Sequence, residues 1–427
     1  MRLLRDTTAA VFAMAGFLLL AELCLRFAGV HYESSLYRLD RDLGYVLRPN
    51  AAGWSVKERD HFEQVSSQGL RDHYHPLTPP PDVIRIAVVG DSFSEAKQVD
   101  CDKAYWAVME RELNRLLQSN SGHRRVEVVN FGVAGYGLPQ EYLTIKQRIW
   151  QFNPQIVLLT GNLHSLILDS DRRFASIQVS GGPTPYFVRT ADGLTLDETT
   201  RKQQAAFVAP SALTDVIADL TNDSEILSLL NATRRTLSLE MAQLRQSLHS
   251  VGQHADAAAH SELSFEDTVL RGPEDPEFAP SWGVAEELIR LAAGEVERHH
   301  AEFWFVLLDM APQVDPDPDQ RRSLMSTLGI HDLYLGDRRF SEFATRQGIR
   351  HILTAGELRA MAERNHTLLH GFPNRPRNSG HWNEVGHAAA GELLARHLFT
   401  CSDTLAAGRS GGAAARASLC SDALPSP

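Results

Sequence analysis

Val83-Ile84-Arg85-Ile86-Ala87-Val88-Val89-Gly90-Asp91-Ser92-Phe93-Ser94 is the stretch that decides the fold. Its first seven residues are apolar and largely β-branched apart from Arg85, the pattern of a short strand buried on both faces, and it stops at a glycine. Val126 to Val129 and Ile156 to Leu159 repeat that pattern, and the stretches between them, Lys103 to Gln118 and Pro139 to Phe152, read as helices. Each return to a parallel neighbour needs a crossover, so strands alternating with helices predict a parallel sheet covered on both faces. The rhythm breaks after Asn162 and resumes with a helix over Val284–Arg298, a strand over Phe303–Leu308, a helix over Arg338–Gln347, a weak strand near Ile349–Leu353 and a last helix over Asn383–Leu398. The expected fold is therefore α/β, a parallel five-stranded sheet flanked by helices with flavodoxin-like layering, carrying a large, mainly helical insertion and an N-terminal membrane anchor.

Outward from that core the chain divides as follows. Residues 1–30 open with Arg2 and Arg5 and then run thirteen uncharged residues from Ala9 to Ala21, which is membrane-directed. No A-x-A site follows, and Glu22 and Leu23 precede Cys24 where lipid attachment would need small residues, so an uncleaved signal anchor is expected. Positive charge ahead of the run places the amino terminus in the cytoplasm and the rest of the chain, catalytic domain included, on the periplasmic or extracellular face of a bacterial cytoplasmic membrane, single-pass. Residues 31–82 form a turn-rich lead-in that ends at Pro79-Pro80-Pro81. The α/β domain takes 83–162 and 283–400, the insertion between them (163–282) reads as a cap that is strongly helical over 211–250, and residues 401–427 read as a disordered tail.

Composition narrows the chemistry. The 427 residues carry 42 Lys and Arg against 53 Asp and Glu, a formal charge of -11, so phosphate neutralisation and hence nucleic-acid binding is not expected. Four scattered cysteines, Cys24, Cys101, Cys401 and Cys420, make neither a disulfide framework nor a metal knuckle, although a Cys401–Cys420 bridge is open.

Three strand ends deliver candidate groups to one sheet edge, where open parallel sheets bind ligands. Ser92 leaves the first strand at the start of a helix, with backbone N–H groups aimed at developing negative charge. Asn130-Phe131-Gly132-Val133-Ala134-Gly135 leaves the second and Gly161-Asn162 the third; a glycine N–H and an asparagine amide are donors that steady an oxyanion. Taken singly these residues read as turns and caps. A serine nucleophile needs a base, and His381, in the loop entering the last helix, is the candidate, with His387 inside that helix structural. The two histidines lie six apart, off a common helical face, with no acidic or cysteine cluster beside them, so neither a metal nor any other cofactor is expected.

Gly90-Asp91-Ser92, then Asn130 to Gly135, then Gly161-Asn162, then His381-Trp382-Asn383 with Gly386-His387 resembles the conserved blocks of the SGNH (GDSL) hydrolase family. The resemblance implies Ser92 as nucleophile, His381 as base, and the Ser92 amide, Gly135 and Asn162 as an oxyanion hole. Leu43-Gly44-Tyr45, Arg48-Pro49 and Ser67-Gln68-Gly69-Leu70-Arg71 resemble membrane-anchored bacterial members associated with exported polysaccharide. It covers residues 43–162 and 283–399. The family places an aspartate two or three residues before the base, where this chain has Ser379 and Asn378. Three substitutes stay open: Asn378 as the group that orients the ring, a backbone carbonyl, or an acid elsewhere in the chain.

The reading that follows is a serine esterase or O-acyltransferase acting on ester, most simply O-acetyl, groups of an exported glycan, with the membrane as its other partner. The alternative is a non-catalytic glycan-binding or assembly protein that keeps the fold, motivated by the missing acid. A third reading, phospholipid or thioester hydrolysis, requires an apolar groove for a long chain.

Overall fold

The computed structural model describes residues 2–119, 124–174, 183–191, 193–250, 265–372 and 376–406. Helix α1 (Arg2–Ala28) leads into two antiparallel hairpins, β1 (Tyr37–Asp40) with β2 (Gly44–Leu47) and β3 (Ala52–Ser55) with β4 (His61–Gln64). The α/β core then runs β5 (Val83–Val89), α2 (Ser92–Glu95), α3 (Tyr105–Ser119), β6 (Arg125–Asn130), α4 (Leu138–Gln147) and β7 (Ile156–Gly161). A hairpin of β8 (Phe187–Thr190) and β9 (Gly193–Leu196) and the helices α5 (Glu198–Ala206), α6 (Ala212–Asp223) and α7 (Glu225–Ser250) interrupt it. It resumes with α8 (Ala279–Arg298), β10 (Glu302–Leu307), α9 (Pro318–Leu328), α10 (Leu335–Gln347), β11 (His351–Leu353), α11 (Ala355–Asn365), α12 (Glu384–Cys401) and α13 (Asp403–Ala406).

The five core strands are all parallel, in the order β11-β10-β7-β5-β6, as the alternation requires. Side chains alternate faces along each strand. Ile84, Ile86 and Val88 pack on one side with Val128, Leu158, Val306 and the helices α3, α11 and α12, whereas Ala87 and Val89 join Val129, Leu159, Leu307 and the helices α4, α8 and α10 on the other. Arg85, the lone charge in the β5 run, is buried and satisfied by Glu127 on the adjacent edge strand (Nε to Oε2, 2.9 Å) and by the Phe152 carbonyl (2.7 Å). A buried charge is tolerable only when so paired.

The structure adds elements that periodicity alone does not show. The lead-in is folded, not merely turn-rich: Leu36, Leu43, Tyr45, Leu47 and Val65 belong to the same core as the α4 face of the sheet. The insertion includes the β8–β9 hairpin, and its ends place Leu163, Leu166, Ile167 and Leu168, and Val269, Leu270, Phe278 and Trp282, in that core as well. Helix α8 begins at Ala279, several residues ahead of the expected start at Val284. Cys401 is disulfide-bonded; residue 420 and the expected disordered stretch beyond residue 406 lie outside the described residues. Among the described residues one helix, spanning Asp6–Ala28, is long and apolar enough to cross a membrane; its apolar run is exposed, and near its end Glu22 meets the start of α7.

Candidate active site

At the carboxyl edge of the sheet, β5 ends at Gly90, whose missing side chain makes room for the Ser94 and Thr160 hydroxyls. Asp91 caps α2, its carboxylate accepting from Phe93 N (2.8 Å), which turns Ser92 outward at the first helical position; burial pushes the Asp91 carboxyl above its usual range. Beneath Ser92, Ser94 Oγ bonds Tyr105 Oη (2.8 Å) and Thr160 Oγ1 (2.9 Å), so the helix start is anchored to β7 and α3.

His381 reaches Ser92 from the other end of the chain: Nε2 lies 2.7 Å from Ser92 Oγ. Its backbone is fixed by a strand-like bridge, Gly371 N donating to His381 O (3.0 Å) and Asn383 N to Leu369 O (2.9 Å), and its ring packs on Phe93 at 4.9 Å between centroids. Asn383 then caps α12 through Val385 N and Gly386 N. His387, fully buried, accepts from Tyr105 N through Nδ1 (3.2 Å), and burial pushes its imidazole down to about 3, so it stays neutral and structural.

The far nitrogen of the base faces an acid the sequence blocks do not mark. His381 Nδ1 is 3.1 Å from Glu58 Oε2, a carboxylate with its side chain only 4% exposed. Glu58 sits in the turn between β3 and β4. A carboxylate only accepts, so Nδ1 carries the proton and Nε2 presents its lone pair to the Ser92 hydroxyl. Gly380, at φ +77°, is what permits the approach: a β-carbon there would overlap Glu58 Oε1. The hairpin tip is tied down by Arg59, which bonds Glu384 at the start of α12 (2.9 Å).

Of the three substitutes left open for the orienting group, the structure puts an acid from elsewhere in the chain, Glu58, at Nδ1, and Asn378 is engaged away from the ring. Its Nδ2 donates to Ala311 O (3.0 Å) and Asp315 Oδ2 (2.8 Å), latching the loop before His381 to the loop after β10. Nearness in sequence suggested it; the loop geometry spends its amide elsewhere.

Gly135 and Asn162 are brought to the same cleft. Gly135 takes φ +76°, and the residue before it is held at both its backbone groups: Ala134 N donates to Glu95 Oε2, and Ala134 O accepts from Tyr45 Oη (2.8 Å). Carbonyl and N–H point opposite ways across a trans peptide, so the Tyr45 bond also sets the direction of the Gly135 N–H. Asn162 Oδ1 accepts from Ser165 N (3.1 Å), which leaves Nδ2 as the donor facing the cavity. Among the described residues neither the Ser92 nor the Gly135 N–H is engaged by another protein group. Tyr45 and Glu95 are positioning residues that sequence reasoning missed, as it missed Glu58.

Ser92, Gly135, Asn162 and His381 line one cavity of about 650 Å³. Its walls come from the lead-in (Glu33, Arg38, Lys57), from α7 (Asn231, Arg234, Arg235) and from the insertion's return (Glu266, Asp267), so charges of both signs stand on the wall beside apolar surface from Leu39, Phe93, Met310 and Pro312. His164 is on that wall; burial opposes its charging, yet Asp169 beside it raises it to about 9. Outside the cavity, Asp72, His73 and His75 bring metal-type ligand atoms within 4.8 Å of one another. That group is already charge-balanced: Asp72 accepts from Asn130 N (2.9 Å), and His75 Nδ1 pairs with Glu127 (3.0 Å), which also holds Arg85.

No protein-family model matches the chain, and no curated protein matches it in sequence. Among solved structures it is similar to the acetyl xylan esterase AlAXEase (10% identity over 73% of this chain and 99% of that one, TM-score 0.34). It is similar also to TesA (10%, 74% and 97%, 0.33) and to Axe2, an acetylxylan esterase from Geobacillus stearothermophilus (11%, 73% and 93%, 0.32). Likeness at this level does not bear on activity, which rests on the site itself.

Proposed function

We propose that the protein is a serine ester hydrolase of the SGNH type, tethered to a membrane by α1, with a Ser92–His381–Glu58 triad that removes acyl groups from an exported glycan. One observation carries the reading: a single imidazole spans a helix-start serine and a buried carboxylate at 2.7 and 3.1 Å. His381 Nε2 takes the hydroxyl proton as Ser92 Oγ bonds to the ester carbonyl carbon, and Glu58 holds the imidazolium that forms. The N–H groups of Ser92 and Gly135 and the Asn162 amide receive the oxyanion, placing donors where charge develops. Collapse expels the alcohol, which takes the proton from His381, and water repeats the sequence to free the acid and regenerate Ser92; a sugar hydroxyl in place of that water makes the same machinery an acyltransferase.

The charged and hydrogen-bonding groups of both signs on the cavity wall support a hydroxyl-rich acylated substrate, and the apolar surface between them suits a short acyl group. The non-catalytic alternative was motivated by a missing acid, and Glu58 removes that motive. The test is hydrolysis of p-nitrophenyl acetate and of an acetylated oligosaccharide by the full chain in detergent, wild type against Ser92→Ala. Equal turnover in both forms, or none in either, sinks the proposal; faster cleavage of decanoyl than acetyl esters sinks its substrate class.

A further inference from the structure

Helix α6 wears its two sides in the reverse of the usual order. Its contacts with the protein are made by polar side chains: Asp219, itself half exposed, pairs with Arg48, and Asn222 accepts from Ser35 N (2.9 Å) and donates to Ser35 O (3.2 Å) and Ala52 O (3.0 Å). The apolar stripe, Leu213, Val216, Ile217 and Leu220, spaced i, i+3, i+4, i+7, points away and is 67%, 51%, 53% and 57% exposed. A surface helix of a water-soluble domain does the opposite, and a contiguous exposed apolar face marks something that covers it.

The surroundings name the cover. The junction of α6 and α7 is where α1 meets the rest of the chain: Glu22 accepts from Ser224 Oγ (2.9 Å), Glu225 N (3.0 Å) and Ile226 N (3.1 Å), capping α7, and Arg26 Nη2 donates to Asp223 O (2.5 Å). Glu22 and Arg26 are also the first charges after the uncharged run Ala9–Ala21, the point where a span leaves hydrocarbon. Beyond them Phe27 is 90% exposed, and Leu227 and Leu230 carry the apolar surface from α1 onto α7. The exposed stripe of α6 thus stands on the helix that ends where α1 docks on the start of α7.

We infer that α6 and the first turns of α7 lie in the interfacial layer of the membrane that α1 crosses, apolar stripe toward the acyl chains; the occupant of this face is a lipid surface. The inference rests on the reading of α1 as a membrane span. An interfacial helix beds roughly 5–10 Å into the headgroup boundary. From Glu225, where α1 is attached, Arg234 is nine residues farther along α7, about 14 Å at ~1.5 Å per residue, and it lines the cavity that holds Ser92. The ester would therefore be met next to the bilayer surface, not free in the surrounding space.

The full chain, with Cys24→Ser and Cys101→Ser, is labelled with an environment-sensitive fluorophore at Ile217→Cys, Leu220→Cys, Leu18→Cys or Ser326→Cys and reconstituted into phosphatidylcholine vesicles. Retained p-nitrophenyl acetate turnover certifies folding of each variant. Lipids spin-labelled near the headgroup or near the chain end serve as shallow and deep quenchers. The expected result is loss of emission at positions 217 and 220, larger with the shallow quencher, loss at 18 larger with the deep one, and none at 326. Quenching at 18 but not at 217 or 220 overturns this inference and leaves the span standing. No quenching at 18 overturns both. Disulfide cross-links between copies at 217, without quenching, give the face to a second copy and likewise overturn it.

Discussion

Two histidine–carboxylate pairs lie on either side of one backbone bridge, and only one of them is placed to do chemistry. His370 is buried, with Nε2 on Asp309 Oδ2 (2.7 Å) and Nδ1 on Gly380 O (2.9 Å); Asp309 is further held by Thr354 Oγ1 (2.9 Å) and Trp382 Nε1 (3.2 Å). Both ring nitrogens are committed to fixed acceptors, so that pair has no proton to exchange with a substrate. His381, 24% exposed, gives one nitrogen to Glu58 and the other to a hydroxyl on the cavity wall. The same two residue types build a scaffold in one place and, in the proposed mechanism, a base in the other, and the difference is which atom the second nitrogen meets. The scaffold pair also serves the reactive one: by gripping the Gly380 carbonyl, His370 sets the backbone immediately before His381.

That contrast can be broken at graded cost. Ser92→Ala or His381→Ala should lower kcat by about 10⁶ with folding intact, because triad members act as a unit; single-turnover ester hydrolysis with circular dichroism as the folding check measures it. Glu58→Gln keeps the shape but no longer demands the proton at Nδ1, and should cost up to about 10⁴ in kcat with KM little changed. If Asn378 were the orienting residue, Glu58→Gln would be nearly silent.

His370→Ala should act first on stability. Leaving the Asp309 carboxylate buried without its partner is expected to cost about 3–5 kcal/mol in denaturant unfolding. Asn378→Ala should reduce kcat by less than about tenfold, since the loss of two loop hydrogen bonds, each worth roughly 1 kcal/mol net, disturbs His381 only through its backbone.

The smallest effect is in pH. Burial opposes charging of His75, but its bonds to Asp72 and Glu127 outweigh this and raise it to about 9, from an unfolded value near 6.5. A histidine raised on folding contributes stability that is complete below 6.5 and fades as pH rises through about 9. His164, also raised to about 9, works in the same direction. Melting temperature should therefore fall across that window, and His75→Gln should flatten the fall; a melting curve indifferent to pH there would remove these ion pairs from the account.

The strand-forming runs were legible because a parallel sheet buries both faces and leaves continuous apolar segments that end at glycine, as Val83 to Gly90 does. His381 was legible because it stands at a loop-to-helix boundary next to Trp382 and Asn383. Glu58 was not, since nothing local sets apart one acid in a polar hairpin turn, and its role comes from a contact formed across 323 residues of chain. Asn378 misled for the converse reason: it is close in sequence to the base and committed elsewhere in space. In α6 the helical period was readable, but a period says only that two sides differ, not which one turns inward.

Glu58 has a consequence for how the activity comes into being. Its turn leaves the ribosome 323 residues ahead of His381, the base it orients in the proposed mechanism. On the proposed reading, a product that ends before His381 holds nucleophile and acid but no base, so hydrolytic competence would await the docking of the earlier hairpin on the later loop. The proposed ester cleavage would in that sense be a readout of long-range folding.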